Sequence, residues 1–159
     1  MDPYTGKCWE PEYEFDYLIY IGRFQPFHVG HEQAIRSALN LSKRVIVLVG
    51  SSFQPRTIKN PWTFEERRNM ITHGLNATQE DLKRVRIEPL PDQSYNDQKW
   101  VANVQQIVEM VIVGDNIWPQ GIVSPTEIQK ALPELKKNLK IGIIGHIKDE
   151  SSYLSLIHI

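Results

Sequence analysis

Residues 17–31 read Tyr17-Leu18-Ile19-Tyr20-Ile21-Gly22-Arg23-Phe24-Gln25-Pro26-Phe27-His28-Val29-Gly30-His31. The first five form a near-continuous apolar run, rich in β-branched and aromatic side chains. So short a run reads as a strand buried on both faces. From His31 onward Ala34, Ile35, Ala38, Leu39 and Leu41 recur at helical spacing. A second buried strand follows at Arg44-Val45-Ile46-Val47-Leu48-Val49. Strand, helix and strand in so short a stretch make a βαβ unit, which sets two strands parallel.

The rest of the chain continues the alternation. Thr63 and Glu66 form a capping box that opens a helix carrying Phe64, Arg67, Ile71 and Leu75. In this frame Glu66 and Arg67 cap and brace the helix, Trp62 packs before it, and His73 sits at the surface. Val85-Arg86-Ile87 is predicted as a third strand. Val101, Val104, Val108 and Val111 stripe a helix beginning near Lys99, and residues 114–122 read as turns. Ser124, Pro125 and Glu127 then cap a short helix running to about Lys137, before a fourth strand at Ile141-Gly142-Ile143-Ile144. The predicted fold class is α/β, a Rossmann-like parallel sheet with helices on both faces. Ligands of such sheets bind beyond the carboxyl ends of the strands, here the loop after Ile21.

With 159 residues the chain has the length of one domain. Residues 1–15, acidic and broken by Pro3, Gly6 and Pro11, read as a flexible leader. Residues 16–153 form the domain, and residues 154–159 read as a non-native tail. Apolar residues make up 41% and charged residues 23%, as in ordinary globular proteins. The net charge of −1 offers no basic field for nucleic acid, so any phosphate site must be local. The single cysteine, Cys8, can close no internal disulfide, which fits a reducing compartment. No apolar run approaches the roughly 20 residues of a membrane span, and the first 15 lack the order of a signal peptide. The expected location is the cytoplasm.

In the loop itself Gly22 allows a sharp exit from the strand. Pro26 keeps Gln25 out of the helix. His28 and His31, three apart, can share one side of the first helical turn, and Gly30 leaves the backbone between them open. Unpaired N–H groups and the positive end of the helix dipole point the same way. Together with Arg23 these donors suit a polyphosphate. Two other readings stay open: surface capping histidines, or a zinc-chelating pair, which lacks a third ligand at metal spacing.

The run Gly22 to His31 is the His-x-Gly-His signature of the nucleotidyltransferase superfamily. Its flanks resemble the archaeal-type nicotinamide-mononucleotide adenylyltransferases, especially the bacterial bifunctional enzymes fused to a Nudix hydrolase domain. The resemblance covers most of residues 16–153. It continues at Gly50-Ser51-Ser52, Asn60-Pro61-Trp62-Thr63, Glu66-Arg67, Tyr95-Asn96, Trp100, and the run from Gly145 to Tyr153.

This resemblance implies adenylyl transfer from ATP to nicotinamide mononucleotide, giving NAD and pyrophosphate. It gives His31 the main transition-state contact and His28 a phosphate contact. Arg23 and the backbone from Phe24 through Gln25 to Phe27, with Gly22 and Gly30, would hold the nucleotides. Lys59 falls on a usually cationic position, Arg56 lies in the same loop, Trp100 borders the nicotinamide, and Asn96 reads its amide. Gly145, His146, Lys148 and Asp149 lie in the run that the Nudix-fused subgroup shares. Mg²⁺ would arrive with ATP, bound mainly through substrate and water.

The likeness breaks in two places. Ser124-Pro125-Thr126-Glu127-Ile128-Gln129 imitates the superfamily's Arg-bearing second signature, but Gln129 stands in place of the Arg, and helix capping explains the same residues. After Tyr153 the family pattern gives way to Leu154-Ser155-Leu156-Ile157-His158-Ile159, which a transposase-end adapter can encode. A truncated chain of low activity is therefore expected. The alternatives are another nucleotidyltransferase of the same fold and a non-catalytic nucleotide-binding fragment.

Overall fold

The computed structural model describes residues 13–75, 78–91, 97–116, 124–145 and 154–155. The expected strand around Tyr17–Ile21 is β1, Phe15–Gly22. It begins inside the stretch expected to be leader, and Phe15 is buried in the core. Helix α1, Val29–Leu41, leads into β2, Ser42–Ser52. Helices α2, Phe64–Gly74, and α3, Gln79–Lys83, precede β3, Val85–Pro91. Helices α4, Asp97–Asn116, and α5, Pro125–Asn138, precede β4, Ile141–Gly145, and β5 is the pair Leu154–Ser155.

The strand order is β3-β2-β1-β4-β5. The first four run parallel, in registers that set Ile19 against both Ile46 and Ile143, while β5 is antiparallel to β4. The chain therefore builds outward from β1 on one side and then crosses to its other side. Such a reversal opens a crevice at the carboxyl ends of the flanking strands, β1 and β4.

Two-residue periodicity divides the strands between two cores. Leu18, Tyr20, Val45, Val47 and Val49 face α1 and α2, meeting Ile35, Ala38, Leu39, Ile71 and Leu75. Tyr17, Ile19, Ile46, Leu48, Ile141 and Ile143 face α4, meeting Val104, Val108, Val111 and Ile112. At about 1.5–3 kcal/mol for each buried aliphatic side chain, these layers hold the sheet's carboxyl rim in place. No helix of the described residues is long and apolar enough to cross a membrane.

Helix α1 starts at Val29 with His28 as its N-cap, so both histidines stand at the helix start as expected. Several expectations need correction. Val101 is exposed, and the buried stripe of α4 runs through Val104, Val108, Val111 and Ile112. The expected turn at Gly114-Asp115-Asn116 is the last turn of α4. An acid at a helix C-terminus opposes the dipole. Here Asp115 accepts a hydrogen bond from the Tyr17 hydroxyl (2.9 Å) and pairs with Arg44 (2.8 Å), and Asn116 donates to the Tyr17 oxygen (3.0 Å). Ser124 is the N-cap of α5, as expected, but its side chain makes no capping hydrogen bond. The short helix α3, capped by Thr78, had no periodic signal.

Candidate functional site

The chain leaves β1 through Gly22, and two features of that exit follow from one ring. A Cβ on Gly22 would lie 2.8 Å from the Phe24 ring, so glycine makes room for Phe24 to fold back over the strand end. The sharp exit expected at Gly22 is completed by Phe24, which takes a left-handed step at φ 52°. That conformation costs a bulky residue about 1–3 kcal/mol. Burial of the ring to 1% exposure, edge-on against Tyr20 at 5.4 Å, offsets it.

His28 and His31 come together as a pair of stacked imidazoles, centroids 3.7 Å apart and planes 24° apart. They also form a reciprocal capping box. The Gly30 N–H donates to Nδ1 of His28 (3.0 Å), and the His28 N–H donates to Nδ1 of His31 (3.2 Å). Because both Nδ1 atoms accept, the ring protons of the neutral imidazoles reside on Nε2, at the far end of each ring. The pair thus presents N–H donors at the start of α1, where the backbone dipole already favours an anion. The capping reading and the phosphate reading are therefore compatible, because the cap uses only Nδ1 of each ring.

His31 is held from several sides. Phe24 meets it edge-on at 4.7 Å, Phe27 stacks on it at 5.8 Å, and Tyr20 lies at 6.5 Å. Phe27 in turn lies against α2 at Gly74, where a Cβ would come within 2.7 Å of its ring. Gly30 has a similar role, since its Cβ would meet the His28 ring at 2.9 Å. Glycine in this position leaves space for an imidazole, a more specific need than the open backbone expected.

The other expected residues that the structure describes separate into two groups. Arg23 is exposed, and its guanidinium makes no hydrogen bond or ion pair among the described residues. Lys59 is exposed at the tip of a tight turn closed by reciprocal backbone bonds between Thr57 and Asn60. Gly145, the last residue of β4, pairs in register with Ile21, which brings it to the rim beside Gly22. Trp100 stands in the first turn of α4, half-buried against the core on the opposite face from α1. Gln25 and Arg56 are engaged within the loops. Gln25 donates through Nε2 to the carbonyl of Trp62 (3.1 Å) and to Oδ1 of Asn60, and accepts from the Trp62 N–H (3.0 Å). Arg56 pairs with Glu66 (2.6 Å) and donates to the Pro61 carbonyl. Glu66 also accepts from the Thr63 N–H (3.0 Å), the leading reason its carboxyl lies below the usual range. Asn96, His146, Lys148 and Asp149 lie outside the described residues.

Arg67 was expected only to brace its helix, yet it is 1% exposed and donates to the carbonyls of Thr63, of Arg23 just after β1, and of Gly50 and Ser51 at the end of β2. No periodic signal marks such a residue, because charge normally points outward. Asn60, buried and donating to the Ser51 carbonyl, is a second tie that no spacing in the sequence marks. Among the described residues, no group of three or more His, Cys, Asp or Glu could hold a metal ion. A groove of about 550 Å³ lies elsewhere, between β3, α4 and α5, and is lined by none of the expected site residues.

Comparison with known proteins gives the chain's relatives. The family model described as cytidylyltransferase-like matches residues 19–144. The nicotinamide/nicotinic acid mononucleotide adenylyltransferase of Acinetobacter baylyi is 42% identical over 141 residues, covering 89% of this chain and 61% of that protein. The nicotinamide-nucleotide adenylyltransferase of Thermococcus kodakarensis is 33% identical over 136 residues, covering 73% of this chain and 72% of that one. Among solved structures, a bifunctional NMN adenylyltransferase/ADP ribose pyrophosphatase from Francisella tularensis superposes with a TM-score of 0.64 at 40% identity. That match covers 87% of this chain and 34% of the Francisella chain. The same protein complexed with AMP and a manganese ion gives a TM-score of 0.62 at 37% identity, covering 82% of this chain and 32% of that one. The chain thus spans about three fifths of the Acinetobacter relative and about a third of the Francisella protein.

Proposed function

The chain belongs to the cytidylyltransferase-like nucleotidyltransferases, in their nicotinamide-nucleotide adenylyltransferase family, and from that premise we propose that it holds ATP and nicotinamide mononucleotide for adenylyl transfer. A phosphate oxygen of the mononucleotide attacks the α-phosphorus of ATP. A new P–O bond forms, the bond to the β-phosphate oxygen breaks, and pyrophosphate leaves with that electron pair. The products are NAD and pyrophosphate. The nucleophile is already anionic, so no general base is needed. The protein's task is alignment and stabilisation of charge on the transferring group.

The observation that carries this reading is the two-histidine cap. It stacks two imidazoles on a helix N-terminus with each Nδ1 used in the cap, a geometry from which their Nε2–H groups would meet non-bridging phosphate oxygens. His31, braced by Phe24 and Phe27, takes the contact to the transferring phosphate, and His28 takes a neighbouring one. Arg23 and Lys59 contribute cationic reach, Gly22 and Gly145 let the backbones of β1 and β4 close on the nucleotides, and Trp100 offers an aromatic face to the cationic nicotinamide ring. Arg56 can join only by leaving Glu66. Asn96, His146, Lys148 and Asp149 are assigned to the same site by family likeness alone.

The donor set of imidazole, guanidinium and backbone N–H groups suits phosphate rather than a cation. A divalent ion, Mg²⁺ in this reading, would therefore be held by the ATP oxygens and water, where it neutralises phosphate charge. The Francisella relative complexed with AMP and manganese supports divalent-ion use. The setting would be NAD biosynthesis in the cytoplasm.

The test is an assay with ATP, Mg²⁺ and a panel of acceptors, reading dinucleotide and pyrophosphate. The panel includes nicotinamide mononucleotide, nicotinic acid mononucleotide and a phosphopantetheine-type phosphate. Dinucleotide formed from a pyridine mononucleotide supports the reading. Transfer to another acceptor alone, or failure to bind any adenine nucleotide, overturns it.

A further inference from the structure

We propose that Arg67 is the positioning residue of the nucleotide loop, fixing from inside the protein the two backbone kinks on which the site is built. The inference rests on the adenylyltransferase reading and adds to it a residue that touches no substrate.

Arg67 is among the largest fully buried side chains of the protein. Burying a guanidinium is unfavourable unless its donors are matched with acceptors. Here they meet carbonyls from three segments. Nε donates to Thr63 O (3.2 Å), the N-cap of its own helix. Nη1 donates to both Arg23 O (2.8 Å) and Gly50 O (2.6 Å), and Nη2 to Ser51 O (3.3 Å). One nitrogen therefore bridges the exits of β1 and β2.

Two of these carbonyls sit at special places. Arg23 O belongs to the peptide that enters Phe24, which has φ 52°, and Gly50 O to the peptide that enters Ser51, which has φ 53°. Each left-handed residue is thus reached through a peptide plane whose oxygen Arg67 holds. In a trans peptide the N–H points opposite to the C=O. Drawing these oxygens inward turns the Phe24 and Ser51 N–H groups away from the guanidinium. It also fixes where the Arg23 side chain departs from the backbone, beside Gly50. The planar fork is what makes this possible, since a lysine ammonium has the charge but cannot span four separated oxygens. The kinks, and with them the placement of Arg23 and the start of α1, depend on a residue far along the sequence.

The experiment compares wild type with Arg67→Lys and Arg67→Gln, by AMP titration, thermal melting and amide NMR. The expected result is a cooperatively folded Arg67→Lys protein with AMP affinity at least about tenfold lower. Its amide shifts change at residues 23–25 and 50–52 but not at Ile141–Ile144. In wild type, the Arg67 Nε–H resonance should be protected from exchange and should move when AMP binds. This last measurement needs no variant, so it decides the matter even if both variants unfold. The proposal is overturned by a folded Arg67→Lys protein that binds AMP within about twofold of wild type. It is equally overturned by an Arg67 resonance that AMP leaves unmoved. A wild type that binds no AMP removes the reading of the site itself, a separate failure.

Discussion

Gly30→Ala separates what the histidine pair does for the helix from what it does for a phosphate. The added Cβ would sit 2.9 Å from Cε1 and 3.1 Å from Nδ1 of His28, so the imidazole must swing away. Swinging breaks the bond from the Gly30 N–H and the stack on His31. Loss of an N-cap costs about 1 kcal/mol. The backbone of a helical alanine is more favourable than that of glycine by about 0.5–1 kcal/mol. The two terms nearly cancel, and the melting temperature should barely move.

Binding should behave differently. A displaced His28 no longer presents Nε2–H beside His31, and one hydrogen bond to a charged phosphate is worth about 1.5–3 kcal/mol. That corresponds to roughly ten- to a hundredfold in affinity. Calorimetric titration with AMP, paired with a thermal melt, reads both quantities. A variant that melts like wild type and binds AMP equally well would refute the reasoning, because the ring would then have moved without consequence.

Two further outcomes follow from the same geometry. His28→Asp keeps a good N-cap and adds a charge the helix dipole favours, so stability should hold or rise by about 0.3–1 kcal/mol, while AMP affinity falls at least about tenfold through repulsion; unchanged affinity in a titration would place phosphate elsewhere. Burial, and for Tyr17 also the Asp115 carboxylate, pushes the Tyr17 and Tyr20 hydroxyls up from the ordinary 10 to about 12, which favours the neutral phenol in the folded state. Their contribution is therefore complete below pH 10 and is lost as pH rises through 12, so urea midpoints measured across that window should fall, and fall less steeply in Tyr17→Phe; identical slopes would count against the assignment.

Much of the fold was legible because it rests on periodicity. Ile19, Ile46 and Val108 announce their burial through spacing, and the Thr63–Glu66 cap through a local pattern that its hydrogen bonds reproduce. Gly114-Asp115-Asn116 reads as a turn in sequence because glycine, aspartate and asparagine favour turns when nothing else acts on them. What keeps them helical is Tyr17 and Arg44, far away in sequence. The histidine pair was legible as a pair, through its three-residue spacing. Its reciprocal capping was not, because a histidine at an N-cap carries no strong local preference.

The least legible contacts are those that arginines make with carbonyls distant in sequence. Arg36 donates to the Leu75 carbonyl at the end of α2 (2.6 Å), and Arg84 to the carbonyls of Lys43, Leu39 and Ser42 around the end of α1. Arg67 does the same at the exits of β1 and β2. In sequence, each resembles Arg68 and carries no mark of these carbonyls. The distinction arises only when the sheet closes and leaves carbonyls that no backbone donor can reach. Helix ends and strand exits are where such carbonyls collect, and strand exits are also where a parallel sheet places its ligands. An arginine drawn beneath a strand exit therefore answers two demands of the fold at once: it satisfies orphaned oxygens, and it sets a positive charge and a rigid backbone under the place where an anion binds.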